Sequence, residues 1–400
     1  MLHSSSHQPS LHRWRQSLVV TVMAAFMLSI AAPFQAELAG AAIQAPDVTA
    51  DGVYAFDLAT GIELFARNEH ERMSIASIVK VVTALVTVNH AELDQQVVIV
   101  ESDLVDDPAY SNMDLHAGDT LTVSQLLYGL LIPSGSDGAQ ALARHVGKII
   151  SGSDDPAVQL TAFVDEMNLF VAEAGLENTR FTNPDGVDAP NAYSSAYDIA
   201  ILSGMLMKNE FLASVVGEPG YSFISVGPEA RQYQAGSTNH LLGQSGVVGI
   251  KTGSTDKAGG CVVLARKVNG GGSIVITSVI GADLTYNGLA IDVDERWNDA
   301  LRLFQFMDAN FVWLPLNDAG TFTNLPTELA VWNVKVPGDI SVPVTISDEI
   351  RTRYQIALNP DGGGRIDFYF NDDLVGSVPL EAASASRSLS EASSWQGGVL

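Results

Sequence analysis

Ser77-Ile78-Val79-Lys80 places a hydroxyl three residues before an amine. On a helix that spacing sets both side chains on one face, about 5–6 Å apart at Cβ. Ser77 falls near the predicted start of a helix, where free N–H groups and the dipole favour developing negative charge. Lys80 lies among valines and isoleucine. Desolvation there depresses a lysine pKa until neutral amine is available to accept the serine proton. A Ser N-cap beside a snorkelling Lys accounts for the same tetrapeptide, which is common by chance.

Two further motifs change its weight. Ser134-Gly135-Ser136 follows an apolar helical pattern and opens another, so its hydroxyls can project from a short interhelical loop. Lys251-Thr252-Gly253 ends the apolar strand pattern 247–250. A strand-end Lys beside Thr offers a cation and a hydroxyl to a carboxylate, and Gly253 would let a substrate approach the backbone. A polar loop and a hairpin start explain each one alone. All three in this order, each in the setting the chemistry requires, make a much stronger signal than any one alone. Thiol and metal chemistry have less support. Cys261 is the sole cysteine and lies in an apolar strand pattern, where core filling is the expected role. No His-x-x-x-His pair occurs inside a periodic helix, so neither a metal nor another cofactor is expected.

The elements that must position these groups are legible as patterns. Residues 53–56 and 62–65 read as a hairpin around Gly61. Helical periodicity follows at 77–88, 123–131, 138–149, 157–174 and 196–207. The period then changes: 247–251, 261–266 and 274–280 read as strands, with a glycine turn at 269–272 and a helix over 297–311. Strands, many helices, strands and a helix predict an α/β (α+β) fold. Its sheet is built from chain-distant strands with a helical insertion between them. Beyond Pro315, residues 331–336, 340–346, 354–358 and 365–370 suggest short strands, with a turn at 359–364. They form a β-rich module of about 60 residues, small enough to need a neighbour's core.

The chain has 400 residues, of which 46% are apolar and 17% charged, so it can bury a large core. Its 21 Lys+Arg against 46 Asp+Glu give a net charge of −25, which excludes nucleic-acid wrapping and a polybasic membrane face. Nine of the acids lie between Glu92 and Asp137, and a solvated surface is their expected role. Arg13 and Arg15 precede the apolar tract 18–32, and small residues recur at 36–42. That is the form of a secretory signal, short of the roughly 20 residues that span a bilayer comfortably. The expectation is export with cleavage near Ala41 or Ala42, and membrane association only if this tract is retained. The expected organisation is therefore a signal or anchor over 1–42, a catalytic domain over 43–314, a small β-rich domain over 315–380 and a flexible Ser/Ala tail over 381–400.

The motifs and their surroundings resemble the penicillin-binding D-alanyl-D-alanine carboxypeptidases, serine peptidases of the DD-peptidase/β-lactamase superfamily. The likeness extends over roughly 50–311. It includes Met73-Ser74-Ile75-Ala76 before Ser77, Phe181-Thr182-Asn183-Pro184-Asp185-Gly186, Asn239-His240-Leu241-Leu242, and Gly249-Ile250 before Lys251. The resemblance implies that Ser77 is acylated, with Lys80 as general base and Ser134 as a proton relay to the departing amine. It implies that Lys251 and Thr252 hold the terminal carboxylate, and that the N–H groups of Ser77 and Ser254 form the oxyanion hole. Peptidoglycan stem peptides ending in D-Ala-D-Ala become the expected substrates, and β-lactams the covalent inhibitors. Ser136 departs from the family's Ser-x-Asn, losing a planar amide. Asp137 beside it reads as a helix cap. A D,D-endopeptidase, a β-lactamase or an impaired muramyl-peptide binder remain the alternatives.

Overall fold

This computed structural model describes residues 45–107, 110–227, 230–268, 272–288, 290–316, 322, 324–346, 352–360 and 362–383, with the backbone of 395–399. The tract read as an export signal with its cleavage point, positions 269–271 of the glycine turn, position 361 of the turn at 359–364, and 384–394 of the tail lie outside them.

Alternation along the strands explains the architecture. β1 (Gly52–Asp57) and β2 (Glu63–Arg67) form the predicted hairpin, with Gly61 in its turn at φ 69°. The chain then passes through a 3₁₀ turn at Ala76–Val79 into α1 (Lys80–His90). A small pair, β3 (Gln96–Val98) with β4 (Thr120–Thr122), leads into α2 (Val123–Leu131). Helices α3 (Ser136–Ser151), α4 (Pro156–Glu173), α5 (Ala196–Lys208) and α6 (Glu210–Val216) follow, then the hairpin β5 (Gly220–Ile224) and β6 (Gln232–Gly236). Strands β7 (Val247–Thr255), β8 (Gly259–Lys267) and β9 (Ile274–Ala282) complete one antiparallel sheet in the order β2-β1-β9-β8-β7. The first hairpin thus joins strands from the far side of the helical stretch, as the element order predicted.

Both faces of this sheet are covered. On β8, Cys261, Val263 and Ala265 face a core shared with α1 to α6, while Val262 and Leu264 face a second core. On β1, Tyr54 and Phe56 join the first core, and Val53 and Ala55 the second. A strand buried on both faces reads as a continuous apolar run, as these do.

The hairpin β10 (Leu284–Asn287) and β11 (Ala290–Asp294) precedes α7 (Arg296–Asn310), which lines the second core with Leu303, Phe304 and Met307. Next come β12 (Phe311–Pro315), α8 (Leu325–Val331), β13 (Val334–Lys335) and β14 (Ser341–Thr345), with β12 paired to β14. Strands β15 (Thr352–Leu358), β16 (Gly364–Phe370), β17 (Asp373–Ala382) and β18 (Trp395–Val399) join β13 in the order β13-β17-β16-β15-β18. Phe368, Val378 and Leu380 enter the second core, so the β-rich region shares its interior with the main sheet. It docks on the β1–β2 turn: the Trp313 indole donates to Asp57 at 2.9 Å, and Ser377 N donates to Thr60 O at 3.2 Å.

Two expectations differ here. The run 331–336 is mostly not a strand. α8 instead opens with Leu325 and Pro326, and Leu325, Glu328 and Leu329 are buried at helical spacing. The tail is not uniformly irregular, because β17 continues to Ala382 and 395–399 adds a strand beside β15. Among the described residues, no single helix is long and apolar enough to cross a membrane.

Candidate active site

Ser77 sits in the 3₁₀ turn and Lys80 is the first residue of α1, so the predicted helix start is shifted by one tight turn. Ala76 before the serine adopts φ 47°, a strained conformation for a residue with a Cβ, of the kind that collects at functional sites. Lys80 is 0% exposed. Its Nζ lies 2.9 Å from Ser77 Oγ, 3.3 Å from Ser136 Oγ and 2.7 Å from Asp185 O. Burial pushes its pKa down to about 8, partly opposed by the charges of Asp185 and Asp137. These are the surroundings in which a lysine can carry a lone pair near neutral pH.

The segment at 183–186 closes over this amine. Thr83, one turn along α1, donates to Pro184 O at 2.6 Å, and Gln140 of α3 donates to the Asp185 carboxylate at 3.0 Å. Gly186 adopts φ 88°, and a Cβ there would stand 2.1 Å from Ala76 O. Only glycine lets this loop press so closely on the nucleophile turn.

Ser136 opens α3 and is buried, its N–H donating to Ser111 O at 2.8 Å. Ser134 is also buried and holds φ 70°, a second strained position at the site. Asp137 does more than the sequence reading gave it. Gly135 is the N-cap of α3 and brings no side chain of its own; Asn112 Oδ1 accepts from Asp137 N at 3.3 Å. Asp137 Oδ1 accepts from Gly138 N in the first turn at 2.8 Å and also from Met113 N at 2.9 Å, and Oδ2 accepts from Leu115 N at 2.9 Å. The carboxylate fastens the 111–115 segment beside Ser136. Burial raises its pKa, while these three backbone donors pull the other way. Nor is the acidic run wholly solvated. Asp103 is buried against Arg144, and Asp119 accepts from Tyr233 at 2.5 Å and Arg231 at 2.9 Å.

Lys251, Thr252, Gly253 and Ser254 lie along β7, hydrogen-bonded to β8. Lys251 is 1% exposed and donates to Thr252 O at 2.9 Å. Burial, then the charges of Lys80 and Arg296, hold its pKa well below the ordinary lysine value. Gly253 has a purpose beside the one read in the sequence. A Cβ there would lie 2.8 Å from Ile75 O and 3.1 Å from Ser77 N, so the glycine admits the protein's own nucleophile turn. Strand β7 and the serine turn are thereby brought into direct contact.

The sequence reading passed over two supports. Arg296, 2% exposed, donates to Gly253 O at 2.7 Å and Ser254 Oγ at 2.9 Å while pairing with Asp294 at 2.6 Å. Thr238 Oγ1 stands 2.6 Å from Thr252 Oγ1. Neither residue belongs to a local motif. The thiol of Cys261 is fully buried on β8, its pKa pushed up to about 11 by that burial.

The structure therefore joins Ser77, Lys80 and Ser136 by hydrogen bonds and packs Gly253 against them. The arrangement combines a serine hydroxyl, a buried amine base and a second buried lysine at the strand end, which suits acyl transfer at a carboxylate-terminated chain.

The family model described as D-alanyl-D-alanine carboxypeptidase matches residues 39–284. A D-alanyl-D-alanine carboxypeptidase of Streptomyces is 35% identical over 273 residues, which cover 66% of this chain and 89% of that protein. One from Haemophilus influenzae is 27% identical over 366 residues, 86% of this chain and 84% of that protein. Among solved structures, a Streptomyces DD-transpeptidase matches with a TM-score of 0.59 and 33% identity, covering 66% of this chain and 98% of its own. Penicillin-binding protein 6B from Escherichia coli gives a TM-score of 0.61 at 26% identity, covering 84% and 96%.

Proposed function

Because the chain belongs to the D-alanyl-D-alanine carboxypeptidase family of serine peptidases, we propose that it removes the terminal D-Ala of peptidoglycan stem pentapeptides through an acyl-enzyme on Ser77. The observation that carries this reading is the 2.9 Å contact between Ser77 Oγ and a buried Lys80 whose pKa is about 8.

Lys80 in its neutral form takes the Ser77 proton as Oγ attacks the penultimate D-Ala carbonyl. The N–H groups of Ser77 and Ser254 stabilise the oxyanion, and the approach of Gly253 to Ser77 N supports their convergence. As the peptide C–N bond breaks, Lys80 gives the Ser77 proton up by way of Ser134 to the departing D-Ala amine and is neutral again. Lys251 and Thr252 receive the free carboxylate of that residue, a charge-assisted contact. β7 adds the stem peptide as a strand. Water, activated by the same amine, then releases the shortened peptide. A β-lactam enters by the same steps and leaves Ser77 acylated. The substrate places the working enzyme outside the cytoplasm of a bacterium.

Intact-protein mass after mixing with a penicillin tests the nucleophile, alongside an assay of D-Ala released from a pentapeptide. The reading expects a penicilloyl adduct and D-Ala release from the native chain, and neither from Ser77→Ala. D-Ala release persisting in Ser77→Ala would refute it.

A further inference from the structure

Thr238 and Thr252 present two hydroxyls to each other at 2.6 Å, and only one proton can lie between them. The two arrangements differ for a ligand. If Thr252 donates to Thr238, the Thr252 oxygen turns lone pairs toward anything above it, which repels a carboxylate. If Thr238 donates, the Thr252 proton is free to point outward, and the chain Thr238 O–H to Thr252 O–H to carboxylate is polarised in one direction throughout.

We infer that Thr238 is a positioning residue that donates its hydroxyl proton to Thr252, so that Thr252 meets the substrate's terminal carboxylate as a donor. The inference rests on the carboxypeptidase reading and adds to it the residue that orients the carboxylate contact.

The backbone holds Thr238 in place for this. Its N–H donates at 3.2 Å to Ile132 O, two residues before Ser134, so it bridges the second motif to the third. Asn239 fixes the turn that follows by accepting from Leu241 N at 3.1 Å through Oδ1. Thr252 is itself 7% exposed, and its backbone carbonyl is occupied by Lys251 Nζ at 2.9 Å. Lys251 is thereby held along β7, and the threonine pair supplies direction.

The test compares acylation of Ser77 by a penicillin and by its methyl ester in the native chain, Thr238→Val and Thr238→Ser. Valine keeps the shape and the N–H contact to Ile132, and removes the hydroxyl that would donate to Thr252, together with its acceptor lone pairs. An aligned hydrogen bond to a charged group implies that Thr238→Val lowers the acylation rate for the acid about tenfold or more. The ester should change less than about twofold on the same reasoning, because it offers no charge to align against. Thr238→Ser should restore the preference for the acid. Equal losses on acid and ester would make Thr238 structural and overturn the inference, as would an unchanged preference in Thr238→Val. A native chain that forms no adduct, or reacts equally with acid and ester, removes the carboxylate contact itself and overturns both the reading and the inference.

Discussion

Lys80 lies closer to the backbone carbonyl of Asp185, at 2.7 Å, than to the hydroxyl of Ser77, at 2.9 Å. A carbonyl only accepts, so one N–H of Lys80 is committed to it. Ser136 Oγ, at 3.3 Å, can take a second. A neutral amine has two N–H groups and one lone pair, and with both N–H groups engaged the lone pair is left for the Ser77 proton. The loop at 183–186 thus orients the base as well as covering it.

The rate of Ser77 acylation should follow the neutral fraction of Lys80. With a pKa of about 8, that fraction is about one-tenth at pH 7 and one-half at pH 8, so the second-order rate constant should rise about fivefold between them. Stopped-flow acylation by a chromogenic β-lactam measures it. A flat profile from pH 6 to 9 would exclude Lys80 as the proton acceptor. Lys80→Arg, which cannot be neutral, should acylate at least a hundredfold more slowly.

The same burial predicts a stability cost. The folded-state pKa of Lys80 lies below its ordinary value of 10.5. Between about pH 8 and 10.5 the unfolded chain therefore binds more protons, and native stability rises with pH across that window. Below pH 8 the cost is fully present, on the order of 3 kcal/mol from the size of the shift. Lys80→Met should then be more stable than the native chain at pH 7, less whatever the unpaired Asp185 carbonyl costs. Denaturant unfolding should show this difference shrinking as pH rises toward 10. A difference independent of pH would mean that lysine is not the group being relieved.

The motifs were legible because each is a few residues whose spacing already fixes their relation along one turn or strand end. The paired strand sets at the two ends of the helical stretch were equally readable from apolar runs, which β1, β8 and β9 retain because both faces are buried. What escaped depended on approach between distant segments. The packing of Gly253 on the Ser77 turn and the hold of Asp137 on the 111–115 segment both join stretches that local sequence does not connect. Thr238 and Arg296 carry no sequence signal, since what they meet on β7 lies 14 and 42–43 residues away. The run containing Val331 was misread because its helix is set by Pro326 and by burial of Leu325 and Leu329, which composition alone does not reveal.

Asp137 should prove structural for the site. Asp137→Ala leaves the N–H groups of Met113 and Leu115 without their acceptor, at a cost of about 1–3 kcal/mol each. Asp137→Asn keeps one acceptor oxygen and should lose roughly half as much on the same scale. Urea unfolding gives the order native, Asn, Ala. Acylation should fall in the same order, because the 111–115 segment carries the Ser111 carbonyl that holds Ser136. If Asp137→Ala unfolds like the native chain, the segment is held by other contacts.

The departure at Ser136 is the sharpest test of how the site was assembled. Its hydroxyl meets Lys80 at 3.3 Å, at the long end for a hydrogen bond from nitrogen. An asparagine oxygen reaches about 1 Å further from Cβ and brings an amide donor that serine lacks. Ser136→Asn should therefore shorten the contact with Lys80 and offer its NH₂ to the substrate amide, raising the acylation rate constant about three- to tenfold. Ser136→Ala should lower it about tenfold, because Lys80 then loses one of the two acceptors that direct its lone pair. The two variants move in opposite directions only if the side chain at this position acts through hydrogen bonding to the base. A fall in Ser136→Asn together with a fall in Ser136→Ala would mean that the buried pocket around α3 has closed on the smaller residue, and that the missing amide is no handicap to this enzyme.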